Sequence, residues 1–105
     1  MEDVVWIIQT TLPGGWSEAM VGAWCFDLVE NGFTACAQHS KIVSVYRWEG
    51  QVENEAEWRI QCKTDESRKQ PLVDEIRSKH PYNLPMIISF EAQTTMDYAD
   101  WVGKK

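Results

Sequence analysis

The chain has no basic stripe. Lys and Arg number 10 against 16 Asp and Glu, for a formal charge of −6. The only adjacent cationic pairs are Arg68-Lys69 and Lys104-Lys105. Nucleic-acid binding by counterion release has nothing to work with, so no nucleic-acid partner is expected. Cysteine is scarce: Cys25, Cys36 and Cys62 are odd in number, widely spaced and form no C-x-x-C pair. That excludes a disulfide framework and predicts buried thiols in a reducing compartment, the cytoplasm. No apolar run approaches the roughly 18 residues of a membrane span, and no signal-peptide pattern opens the chain. No membrane partner is expected. Also missing are G-x-S-x-G, H-E-x-x-H and a Gly-rich phosphate loop at a strand–helix junction; Gly14-Gly15 alone is a weak signal. Without a nucleophile–base–orienter set, the reading is of a non-enzyme.

What is present is aromatic and alternating. The 105 residues make one domain, 1–105, and include six tryptophans. A chain of this size buries roughly two thirds of its unfolded surface. So many large rings suggest that some of the burial is at an interface. From Val52 to Lys63 the residues alternate: Val52, Asn54, Ala56, Trp58, Ile60 and Cys62 on one face, Glu53, Glu55, Glu57, Arg59, Gln61 and Lys63 on the other. This is a half-buried strand. A β-branched and aromatic strand, roughly Thr34 to Trp48, precedes it across a tight turn at Glu49-Gly50. If that turn has two central residues, Trp48 faces Gln51. Val43 and Val45 then join the Val52–Trp58 face, which reads as core. Ile42, Tyr46 and Trp48 join the carboxylate face, where large apolar groups point to contact with another subunit.

The rest supplies the frame. Val4 to Ile8 is an apolar strand, broken by Thr10-Thr11-Leu12-Pro13-Gly14-Gly15. Ser17 caps a helix closed by Asn31-Gly32, its apolar face built from Ala19, Met20, Ala23, Trp24, Phe26, Leu28 and Val29. A second helix has several possible caps between Thr64 and Ser67, of which Ser67 with Gln70 fits the capping-box spacing, with Pro71 near its first turn and Leu72, Val73 and Ile76 buried; Pro81 stops it. Met86 to Phe90 is a last strand, and Thr94 or Thr95 caps a short helix with Trp101. The order predicts an α+β, ferredoxin-like βαββαβ sandwich with an extended central hairpin and a short C-terminal helix. Exposed edges on so long a hairpin need cover, which a neighbouring subunit can supply.

Several blocks resemble the CutA divalent-cation-tolerance family. They are Thr34-Ala35-Cys36-Ala37, Ser44 to Gly50, Cys62-Lys63-Thr64, His80-Pro81-Tyr82-Asn83-Leu84-Pro85 and Tyr98 to Trp101. The resemblance spans nearly the whole chain and identifies it as a single CutA-like domain. It implies a ferredoxin-like protomer, a tight homotrimer akin to the PII signalling proteins, and an association with tolerance to copper and other divalent metals. His80 matches the histidine that the family offers as a metal ligand. Met86 stands where most members carry glutamate and Gln9 where some carry a ligand cysteine, so one of three proposed ligands remains; Gln38 also replaces the family's usual asparagine.

Candidate chemistry is therefore sparse. His80 ends a helix before proline, where it would satisfy last-turn carbonyls; as a ligand for copper or another divalent metal it needs further donors. Cys36 and His39 have C-x-x-H spacing, but an offset of three on one strand puts them on opposite faces. Lys63 is either a solvated lysine or, as the resemblance suggests, the cation of an inter-subunit cleft shared with Trp48 and Tyr82, where a small anionic ligand binds. The expected subunit interface is Ile42, Tyr46, Trp48 and Trp101. The acidic run Glu53, Glu55, Glu57 is either a solvated face or an attractor of cations.

Overall fold

The computed structural model describes residues 3–104. In chain order the elements are β1 (Val4–Pro13), α1 (Glu18–Glu30), β2 (Cys36–Trp48), β3 (Gln51–Thr64), α2 (Glu66–Lys79), β4 (Ile87–Gln93) and α3 (Met96–Gly103). The four strands form one sheet in the order β2-β3-β1-β4, every pairing antiparallel. Among the described residues no helix is long and apolar enough to cross a membrane.

The hairpin turn has two central residues. Trp48 pairs with Gln51, and Glu49 and Gly50 take φ of +49° and +78°. Positive φ at both positions is the turn whose twist matches paired strands. Tyr46 therefore opposes Glu53, Ile42 opposes Glu57 and Val43 opposes Ala56, as the alternation predicts. β3 pairs with β1 only from Glu57 to Thr64, so the distal half of the hairpin projects beyond the sheet.

That projection corrects the core assignment. Val43, Val45 and Val52 share a face with Trp58, yet they are 67%, 65% and 63% exposed. Among the described residues the helices cover this face of β3 at Trp58, Ile60 and Cys62, and the distal hairpin lies beyond them. There they pack with Ile8 and Leu12 of β1, Val21, Trp24, Cys25 and Leu28 of α1, and Leu72 and Ile76 of α2. A smaller cluster of Val5, Ile7 and Val102 forms where α3 covers one end of the opposite sheet face.

Three local expectations also shift. β1 does not break at Thr10; it runs to Pro13, with Thr10 and Leu12 fully buried. A threonine in a central strand spends its backbone polar groups on two ladders, and its branched side chain suits a pleated surface. In α1, Ser17 caps the helix as expected, accepting from the Met20 N–H at 3.2 Å. Gly32, at φ +78°, lets Phe33 N–H reach the Leu28 carbonyl and close the last turn. The buried face is Val21, Trp24, Cys25 and Leu28, however, and Met20, Phe26 and Val29 stay outside. In α2 the cap is Asp65, which accepts from Arg68 N–H, and Ser67 merely donates to Asp65. Burial pushes the Asp65 carboxyl up, but bonds from Ser67 and Arg68 outweigh it and hold the group below its usual value.

Candidate functional site: an aromatic and acidic groove beside the hairpin

On the sheet face away from α1 and α2 lies a groove of about 770 Å³. One wall is the hairpin, with Ile42, Tyr46 and Trp48 from β2 and Glu55, Glu57 and Arg59 from β3. The other is the rigid connection after α2, with Tyr82, Leu84 and Met86; Gln9 and Thr11 of β1 form the floor. Alternation along β2 and β3 puts the aromatics and carboxylates on this side together.

His80 anchors the far wall. It is the residue after α2, and Tyr82 N–H donates to its Nδ1 at 3.1 Å. A ring that accepts at Nδ1 carries its proton on Nε2. Nε2 lies 2.8 Å from the Thr11 carbonyl, to which it donates, and 3.0 Å from Thr10 Oγ1. Burial holds the imidazole below its ordinary pKa, against the opposing pull of the Thr11 carbonyl and Glu57. Both nitrogens are thus engaged by backbone, and a metal ion would have to displace one of these bonds. Among the described residues no three His, Cys, Asp or Glu side chains converge as a metal-binding group.

Tyr82 donates its hydroxyl to Glu57 at 2.9 Å, tying the connection to the hairpin. Burial, that bond and the Glu57 charge push its phenol well above the ordinary tyrosine range, so it remains a donor. Tyr46 is raised in the same direction, by desolvation first and then by Glu55, Glu53 and Glu57.

The structure brings Trp48 and Tyr82 into one groove, with Ile42 and Tyr46 beside them. It does not bring Lys63 there. Lys63 opposes Ile7 and Cys36, farther along β3, and donates to Gln38. The cation that lines the groove is Arg59, whose place on the alternating face the sequence already marked. Trp101 is also elsewhere. It stacks on Tyr98 in α3, ring centroids 5.7 Å apart, beside a second cavity of about 450 Å³ with Arg68 and Lys104. Gln9, which the resemblance placed at a ligand position, accepts from Gln61 at 2.8 Å on the groove floor, and sequence reasoning missed Thr11 beside it. Its signal was the continuation of β1 past Ile8. Cys36 and His39 do lie on opposite faces, and His39 instead meets the edge of Trp58 at 5.8 Å. Burial raises the Cys25 thiol to about 11 and the Cys62 thiol to about 12, which keeps both protonated.

Four antiparallel strands, two helices on one face and a projecting hairpin define a ferredoxin-like α+β protein. The same architecture occurs in CutA from Synechococcus elongatus PCC7942, with TM-score 0.87 and 28% identity over 97% of this chain and 90% of that one. It occurs too in the PII-like protein CutA from Nostoc sp. PCC 7120 in apo form, with TM-score 0.82 and 30% identity over 93% of each chain. The divalent-cation tolerance protein CutA of Thermus thermophilus is 32% identical over 104 residues, 97% of this chain and 95% of that protein. Residues 7–105 match the family described as CutA1 divalent ion tolerance protein. The chain belongs to the CutA1 divalent ion tolerance family.

Proposed function

We propose that the protein acts in divalent-cation tolerance as a non-enzymatic homotrimer, and that its subunits meet through the hairpin and the open sheet face. One observation carries this: large apolar side chains line that face without cover. Tyr46 and Trp48 are 39% and 50% exposed on the hairpin, and Ile88 and Phe90 are 45% and 44% exposed on edge strand β4. Exposed apolar groups at both ends of one sheet face mark an interaction site, and β2 and β4 offer unpaired edges for strand addition. The subunit contact set is Ile42, Tyr46 and Trp48 with β4. Trp101 lies on α3 and contributes only if a neighbour reaches that helix. The three free thiols support a reducing compartment such as the cytoplasm.

A small ligand in the groove is the second reading, favoured by the convergence of Trp48 and Tyr82. With Lys63 outside, an anion would depend on Arg59 and face Glu55 and Glu57. Direct binding of copper or another divalent ion through His80 requires breaking its bond to Tyr82 N–H or to the Thr11 carbonyl.

Sedimentation equilibrium tests the assembly. Wild type should run as a trimer, and Trp48→Ala should raise its dissociation constant by roughly a hundredfold, the effect of a central aromatic anchor. A trimer equally tight in Trp48→Ala, or a wild-type monomer, refutes the reading. Equilibrium dialysis against copper, with wild type and His80→Ala, tests the metal. Saturable binding lost in the variant would place an ion at His80.

A further inference from the structure

α1 departs from the usual pattern of a surface helix. Its inner side is Val21, Trp24, Cys25 and Leu28. Its outer side carries Ala19, Ala23 and Phe26, with Met20 and Val29 on the flanks, and all five are exposed. Phe26 is 62% exposed. A helix that carries apolar groups on its outer as well as its inner side is normally covered on both. α2, in the same layer, instead turns Gln70, Asp74, Arg77 and Ser78 to solvent.

The charges that α1 itself carries have one sign; cations border it only from other elements, Lys79 at the Trp24 carbonyl and Arg68 and Lys104 in the cavity at its C-terminal end. Glu18, Asp27 and Glu30 are exposed, and the helix contains no Lys or Arg. That pattern selects among occupants. A second copy docked α1 against α1 would bring the two sets of carboxylates together, a juxtaposition that costs binding. An anionic membrane surface would be repelled for the same reason. The proposed subunit contacts lie on the other face of the sheet, so they do not account for the stripe.

We propose that the outer face of α1 docks a basic amphipathic helix of another protein. The apolar side of that helix would pack on Ala19, Ala23 and Phe26, and its Lys or Arg residues would meet Glu18, Asp27 and Glu30. Small residues at 19 and 23 allow close approach, and Phe26 supplies the aromatic anchor such interfaces concentrate on. This goes beyond the tolerance reading and does not depend on it.

The test uses the full chain and two labelled probe peptides, an amphipathic Leu/Lys helix and its Leu/Glu counterpart, read by fluorescence anisotropy at about 0.15 M salt. Wild type should bind the Leu/Lys probe. Phe26→Ser, which leaves the charge unchanged, and the double variant Asp27→Lys/Glu30→Lys should each weaken binding by about tenfold or more, the loss expected at an anchor. Phe26→Ser should keep the wild-type melting temperature and subunit number. Equal binding by wild type and Phe26→Ser, or equal binding of the two probes, overturns the proposal. So does loss of the assembly in Phe26→Ser, or Phe26-dependent self-association of wild type, since either makes a second copy the occupant.

Discussion

Removing the Trp58 side chain tests the packing logic of the whole sheet. Trp58 sits where β3 enters the helix layer; it is 8% exposed and its indole N–H donates to the Trp16 carbonyl at 3.0 Å. Lys41 Nζ lies 4.6 Å above the ring and also donates to the Gly14 carbonyl, while His39 meets the ring edge. A buried indole withdraws on the order of 200 Å² from water. At about 25 cal/mol per Å² this is roughly 5 kcal/mol, an upper bound because the unfolded chain is itself partly collapsed. Trp58→Ala should therefore cost about 3–5 kcal/mol, the range for aromatic truncation in a core. Trp58→Phe keeps most of the ring and loses the N–H, leaving the Trp16 carbonyl without that donor. It should cost about 1–2 kcal/mol. With a urea m value near 2 kcal/mol/M, the midpoints should fall by about 2 M and about 0.5–1 M. Unfolding is followed by far-UV circular dichroism at one fixed chain concentration, because assembly adds to apparent stability. If the Ala and Phe variants lose the same amount, ring burial is not what Trp58 contributes. If neither midpoint moves, β3 does not enter the core at this residue.

Two other perturbations address the groove wall and the turn. His80 has a folded pKa below its ordinary 6.5. The folded state thus resists protonation: its stability is complete above about pH 6.5 and declines as pH falls through the folded value. Urea midpoints measured from pH 7.5 to 5 should decline more in wild type than in His80→Gln; parallel profiles would show that His80 is not held neutral. At the hairpin tip, Glu49 occupies a left-handed conformation that asparagine tolerates better. Glu49→Asn should slow amide exchange in the distal hairpin about twofold, equivalent to about 0.4 kcal/mol, and an unchanged rate would discount strain at residue 49.

The pairing of the hairpin was legible in the sequence because Glu49-Gly50 fixes the turn, and the turn fixes every later partner. Whether a face is covered was not legible. Alternation places Val43, Val45 and Trp58 on one side, but burial depends on how far α1 and α2 extend, and they stop near Trp58. The same distinction explains Lys63 and Arg59. Both lie on the polar side of β3, and only the position of the Pro81–Met86 connection decides which one borders the groove. The stretch from Thr10 reads as a break because Gly14 and Gly15 at its end favour a loop; the sheet accepts Thr10 and Thr11 as central-strand residues. The cap of α2 was legible only to within Thr64 to Ser67: Ser67 has the capping-box spacing, yet Asp65 binds the Arg68 N–H and starts the helix. The burial of Cys25 and Cys62 was legible, since isolated cysteines behave as small apolar residues.

The strand order has a consequence for synthesis. β1 is made first but lies inside the sheet, with β3 on one side from Glu57 onward and β4 on the other from Ile87 onward. As the chain leaves the ribosome, Val5, Ile7 and Ile8 have no strand to pair with until the second arm of the hairpin has emerged. By then β2 and β3 can already close on each other, since their turn needs nothing upstream. The hairpin is thus a template formed in the middle of the chain, onto which an older segment must fold back. For that interval the most apolar run of the protein is open to chaperones and to other nascent copies.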